Sequence, residues 1–216
     1  MLLARRSAVD VRRQALVQLR SVIVTCPDQL REQLRGLPVR RLIVRCSRLR
    51  HPPSCTPDEL ASRLVLRSLA RRVEAATAEA AELEHEILAH VRALAPQLLD
   101  EPGVGPIVAA QLIVTWSHQS RVRSEAAFAR LAGTAPIPVS SGQTIRHRLS
   151  RGGDRQLNRA LHTVILHRRL HDPATKTYIA RRLAEGKTTR DATRLLKRYL
   201  ARHMYRVLQN QTPLMT

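Results

Sequence analysis

Between residues 58 and 95, Leu66, Leu69, Val73, Ala76, Ala80, Leu83 and Ile87 recur at alternating spacings of three and four. This heptad seam restricts the choice of fold more than any other stretch, because a stripe sustained over about three heptads needs one long helix and a second surface to cover it. His90 interrupts the seam late, as a tolerated polar residue, and acids gather between Glu74 and Glu86. The pattern leaves three coverings open: a coiled-coil hairpin within the chain, a contact with a second copy, or packing on the helix's own domain.

The rest of the chain is also helical in period. Glycine is scarce, at 8 of 216 residues, and strand-like alternation is nearly absent. Residues 2–24 place Val9, Leu16, Leu19 and Ile23 on one face and stop at Cys26-Pro27, since proline disfavours helix at the residue before it. Residues 28–50 read as two short helices divided by Gly36-Leu37-Pro38. A loop follows, and Thr56 with Pro57 supplies an N-cap and first turn. Further helices are expected over 106–116, from a Ser124 cap through Leu131, and from an Asp154 cap to about Leu170 with Leu157, Leu161, Val164 and Ile165 inward. His171-Asp172-Pro173 ends that helix. A short helix then runs to Leu183, and Thr188 or Thr189 opens the last one. The expected class is all-α: a long coiled-coil helical arm, then a compact helical domain.

Composition points to a polyanionic partner. The formal charge is +20 and the pI about 11.6, and such a field attracts nucleic acid. Residues 101–216 carry 20 Lys and Arg against 6 Asp and Glu, while residues 1–100 carry 17 against 11. The carboxy-terminal half is therefore expected to own most of the electrostatic footprint. Aromatics are 2% of residues, too few for a platform that stacks unpaired bases, so binding should rest on phosphates and weaken with salt. Three cysteines without a C-x-x-C argue against a disulfide scaffold and for a reducing, cytoplasmic setting. No apolar stretch reaches membrane-spanning length, so no membrane partner is expected.

Three features carry candidate chemistry. In Pro102-Gly103-Val104-Gly105-Pro106, two glycines bracket one apolar residue, which permits a sharp turn that lays backbone N–H groups bare for a phosphate at the start of helix 106–116. Leu98 and Leu99 before the turn and Ile107, Leu112 and Ile113 after it fit a helix-hairpin-helix at about 98–116. Next, Ser140-Ser141-Gly142 puts hydroxyls beside Arg146, His147, Arg148, Arg151 and Arg155, groups suited to holding phosphate oxygens and moving a proton. On composition alone this is also an ordinary turn. Third, Arg190, Arg194, Arg198, Arg202 and Arg206 repeat every four residues along one flank of the last helix, a phosphate rail or a solvated face; few acids nearby neutralise it, which favours the rail. Metal chemistry is poorly served. Asp154 reads as a cap, His167 and His171 as a surface pair, and Cys46, His51 and Cys55 lack a fourth zinc ligand at finger spacing.

From Leu98 to about Leu208 the chain resembles the transposase domain of the IS110 family of bacterial insertion sequences. The resemblance is carried by the 102–105 turn, the stretch Phe128 to Pro136, Ser140-Ser141-Gly142, and the run Arg151-Gly152-Gly153-Asp154 continuing to Leu161. Residues 1–97 look like the helical connection with a coiled-coil arm found in the same proteins, and 98–216 like their transposase domain. The resemblance implies DNA transposition by strand cleavage and exchange, guided by a structured bridge RNA. It implies Ser141 as the nucleophile, with Ser140 its neighbour. Gly103, Val104, Gly105, Arg146, Arg148, Arg151, Arg155, Arg159, Arg194, Lys197 and Arg198 are then the expected nucleic-acid contacts. The implied partners are element ends and target DNA, a guide RNA, and further copies of the chain paired through the coiled coil, at the bacterial nucleoid. Family members begin with a RuvC-like domain whose four acids bind magnesium. Asp10 matches none of these, so this chain is expected to bind no cofactor itself, to need magnesium only with that acidic domain, and to be truncated and inactive alone. A non-catalytic nucleic-acid-binding module, or a regulator of full-length transposase, is the alternative.

Overall fold

The computed structural model describes residues 1–141, 144–148 and 152–210, with residues 138, 140, 141 and 144–148 described by their backbone. The chain divides into two compact units, Met1–Glu86 and Ile87–Thr216. The helices are α1 (Leu2–Thr25), α2 (Asp28–Leu34), α3 (Val39–Ser47), α4 (Pro57–Leu94), α5 (Pro106–Trp116), α6 (Glu125–Leu131), α7 (Arg155–His171), α8 (Pro173–Ala184) and α9 (Thr189–Gln209). A 3-10 helix spans Pro96–Asp100, and strands β1 (Ile137–Ser141) and β2 (Thr144–Arg148) form one antiparallel pair.

The helical expectation holds, and the caps explain much of it. Ser124, Asp154, Asp172 and Thr188 each accept a backbone N–H in the first turn of the helix they precede, satisfying donors that have no partner inside the helix. The hairpin stands where composition alone read the serine run as an ordinary turn. Its strands are short, and Pro138 with two adjacent serines hides the alternation of apolar and polar residues by which strands are read from sequence.

In the first unit, the long seam is covered by the chain itself. Leu66, Val73, Ala76 and Ala80 of α4 are buried, as are Ala8, Ala15 and Leu19 of α1. Leu19 and Cys26 share a core cluster with Leu66, Leu69 and Ala70. At the other end of α1, the Arg5 guanidinium donates twice to Glu84 Oε2, at 3.0 and 2.7 Å. These two anchors define an antiparallel pairing of α1 with α4 and decide among the three coverings. His90 is exposed and Val91 takes the buried place, so the seam steps around the histidine where a polar seam residue was expected. The buried face of α1 centres on Ala8, Ala15 and Leu19, with Val9, Leu16 and Ile23 at its margin.

Helices α2 and α3 close the same core through Leu30, Leu34, Leu42 and Cys46. Burial pushes the Cys46 thiol up to about 11, with Cys26 adding to the shift. Cys46 is thus an inert core residue, and among the described residues no metal-holding cluster of His, Cys, Asp and Glu forms.

In the second unit, α9 packs against α5, α6, α7 and α8, and α7 also packs on α5 and α8. The core holds Leu112, Phe128, Met204 and Leu208 together with Leu157, Leu161, Val164 and Ile165, the four inward residues expected of α7. Replacing Leu66 by Ala should cost roughly 2–5 kcal/mol, whereas Leu3→Ala, at a 69% exposed site, should cost under about 0.5 kcal/mol. Because the seam is covered within the chain, the Leu66→Ala loss measured by denaturant unfolding should not depend on protein concentration.

Candidate functional site

Two turns and one capping residue organise the site in the second unit. In the first turn, the Val104 amide donates to Glu101 O at 3.0 Å, with Pro102 and Gly103 between them. Gly103 has a φ of +81°, so this is a turn with proline first and a left-handed residue second, the type II arrangement. A side chain at Gly103 would also meet His167, whose Nδ1 lies 3.0 Å from the Cβ position. Gly105 is extended, caps α5 with no side-chain bond, and faces open space. Val104 is buried and anchors the turn rather than presenting itself. The element preceding the turn is the five-residue 3-10 helix.

Glu101 fixes this turn to the rest of the unit. Arg168 donates through Nε to Pro102 O at 2.7 Å and through Nη2 to Glu101 Oε2 at 3.0 Å. His203 Nε2 lies 2.6 Å from Glu101 Oε1. Helices α7 and α9 thereby hold the Glu101 carboxylate, five residues before α5 begins.

The second turn connects the hairpin to α7. Gly153 has a φ of +97°, and a Cβ there would lie 2.4 Å from Leu131 O. Asp154 then bonds in three directions besides its own helical ladder. Its amide donates to Leu131 O at 2.7 Å, Oδ1 accepts from Gln156 N and Leu157 N at 2.7 and 3.1 Å, and Oδ2 accepts from Thr115 Oγ1 at 2.9 Å. One residue thus ties the start of α7 to the end of α6 and to α5. Asn158 extends the tie, donating to Ala132 O at 2.7 Å.

The hairpin stands beside this joint. Ser141 pairs with Thr144, Ser140 with Ile145, Val139 with Arg146, Pro138 with His147 and Ile137 with Arg148. Ser141 is the last residue of β1, and it shares rung parity with Arg146 and Arg148, while Ser140 shares it with His147. Gly142 and Arg151 lie outside the described residues. A cleft of about 620 Å³ opens at the root of the hairpin, lined by Ile137, Gly152, Gly153 and the exposed Arg130. Arg130 is absent from the sequence-derived contacts; only its place in the stretch from Phe128 to Pro136 pointed to it.

The structure sorts the remaining cations. Arg155 and Arg159 are exposed, one turn apart on α7, with no carboxylate partner among the described residues. Arg155 sits in the first turn, where the helix dipole favours an anion. On α9 the expected rail is largely neutralised. Arg194 pairs with Asp191 at 3.3 Å, Arg202 pairs with Glu125, and Arg206 lies 3.7 Å from Glu125. Only Arg190 and Arg198 lack such a partner among the described residues. Lys197 turns inward, its Nζ donating to Asn158 Oδ1 at 2.9 Å. Burial, then the neighbouring Arg194, pulls its pKa down.

Comparison with known proteins gives this unit a family. Residues 95–180 match the model of the Transposase IS116/IS110/IS902 family. The chain is 36% identical over 152 residues to the insertion element IS110 uncharacterized 43.6 kDa protein of Streptomyces coelicolor, covering 69% of this chain and 38% of that protein. It is 31% identical over 149 residues to the insertion element IS900 uncharacterized 42 kDa protein of Mycobacterium paratuberculosis, covering 67% of this chain and 37% of that protein. The aligned region therefore spans under two fifths of either relative.

The joint generates a stability test. Gly153→Ala should destabilise by roughly 1–3 kcal/mol through backbone strain, and Asp154→Ala by about 1–3 kcal/mol through loss of the cap and the Thr115 bond. Thermal unfolding followed by circular dichroism reads both, and an unchanged midpoint in either would contradict the joint as described. The matched segment contains both turns, the capping aspartate and the serine hairpin, and by this match the chain belongs to the IS116/IS110/IS902 family of transposases.

Proposed function

We propose that this chain acts in DNA transposition, through strand cleavage and exchange by a serine nucleophile. The observation that carries the reading is the placement of Ser141 at the end of β1, on a hairpin whose second strand contributes Arg146 and Arg148 and whose root is held by Gly153 and Asp154. In the proposed step Ser141 Oγ attacks a DNA phosphorus and forms a serine phosphodiester. The bond from phosphorus to one deoxyribose oxygen breaks, and that oxygen leaves as a hydroxyl after gaining a proton. Attack by a second strand's hydroxyl reverses the chemistry and frees the serine. Arg146 and Arg148, with Arg151, Arg155 and Arg159, hold the non-bridging oxygens as charge develops on them, and the proton given up by Ser141 reaches the leaving oxygen through water.

The turn at Gly103–Gly105 supports the same reading as a sequence-independent phosphate grip at the start of α5. Among the described residues no cluster fits magnesium, and magnesium belongs to the proposal only with a separate acidic domain. Guide RNA and copies of the same chain are the proposed partners in assembly, with contacts between copies made outside the seam that α1 covers. No described helix is long and apolar enough to cross a membrane.

A covalent trap tests the reading. The chain, with and without a separately supplied magnesium-binding domain, is incubated with nicked element-end DNA, guide RNA and magnesium and run on a denaturing gel. A protein–DNA band that vanishes in Ser141→Ala and survives in Ser140→Ala is the expected result. Absence of the band with a competent partner domain, while salt-sensitive DNA binding persists, would favour the binding-module alternative and end the catalytic reading.

A further inference from the structure

The most concentrated unpaired charge among the described residues lies in the first unit, although the second half of the sequence holds the larger net charge. No Asp or Glu occurs between Glu32 and Asp58. Within that interval Leu42, Cys46 and Leu49, spaced by four and three, are buried. Arg41, Arg45 and Arg48 repeat the same spacing one residue earlier and are exposed. With Arg40 and Arg50 they line a groove of about 920 Å³.

The groove is preset for an anion. Arg63, on its α4 wall, is neutralised by Glu59 at 2.6 Å and donates to Arg50 O at 3.0 Å, which fixes the rim. Arg31 and Arg35, just before the groove, are each paired with the acid three residues earlier, Asp28 and Glu32. The five groove arginines have no carboxylate partner among the described residues, so five like charges converge on one concavity. Such crowding opposes folding unless a polyanion offsets it.

Dimensions and chemistry select the ligand. From Arg41 to Arg48 the chain advances about 10 Å, the rise of seven helical residues, which matches about three phosphates of one strand of B-form DNA. The apolar lining is Leu37, Val44 and Leu49, with no ring on which a base could stack. We infer that the α3 groove binds the phosphodiester backbone of duplex DNA without reading its sequence, as a contact separate from the serine hairpin. The choice of DNA over RNA rests on the transposition reading; the anion site does not.

The 216-residue chain tests this by fluorescence anisotropy against a random-sequence DNA duplex and an RNA duplex of the same sequence, over a salt series. The variant Arg41→Gln/Arg45→Gln/Arg48→Gln is compared with Arg20→Gln/Arg71→Gln/Arg72→Gln, which removes equal charge from exposed sites outside the groove. Circular dichroism and thermal midpoints establish that both remain folded, and Arg45→Gln alone serves if the triple variant does not. The groove variant should lower the slope of log affinity against log salt by about 2–3 and weaken DNA binding at least about tenfold, with the single variant shifting the slope by about 1. Equal losses in the groove and control variants would overturn the inference, as would an unchanged slope in the groove variant; the transposition reading survives either result. Loss of RNA binding alone in the groove variant would overturn DNA as the ligand, and a wild-type chain that binds neither duplex would end both proposals.

Discussion

The second unit depends on the bonds made by Asp154. A carboxylate at a helix N-terminus is ordinarily a local device, worth about 1 kcal/mol to its own helix. Here the second oxygen accepts from the Thr115 hydroxyl of α5 and the amide donates to the Leu131 carbonyl that ends α6, so capping one helix orients three. The joint leaves no room for a side chain at Gly153, since the Leu131 carbonyl occupies the place of a Cβ. The pair Gly153-Asp154 is therefore a packing requirement before it is anything else. In chain order the joint lies between the hairpin bearing Ser140 and Ser141 and the start of α7.

Charge in this protein is best understood by asking which arginines are already occupied. Along α9 a regular arginine stripe meets Glu125 from α6 and Asp191 from its own first turn, and much of its field is spent within the fold. Around α3 the one acid in contact, Glu74, takes the Ser47 hydroxyl, and among the described residues no carboxylate pairs with the groove arginines. Since exposed ion pairs contribute little to stability, the consequence of this sorting falls on binding. Counting charge by halves of the sequence places the footprint in the second half; counting unpaired charge adds a second surface in the first.

The seam of α4 shows a related economy. A heptad pattern reads equally well as an invitation to a second copy or to another helix of the same chain. Alanines at 8, 15, 76 and 80 lie between the Leu19 cluster and the Arg5–Glu84 bridge, and the antiparallel pairing of α1 with α4 satisfies the stripe internally.

Helix positions, their caps and the inward face of α7 were determined by the sequence alone, because capping and the 3.6-residue period act between residues a few positions apart. The turn at Gly103 was legible for the same reason. The serine hairpin was not, since a short strand containing proline shows little alternation to read. The occupancy of Glu101, shared by Arg168 and His203, the capture of Arg202 by Glu125, and the inward turn of Lys197 onto Asn158 were decided only by the tertiary structure. These partners are separated by 39 to 102 positions, and whether a charge faces a ligand or a neighbour is fixed by which helices pack together, which no local spacing records.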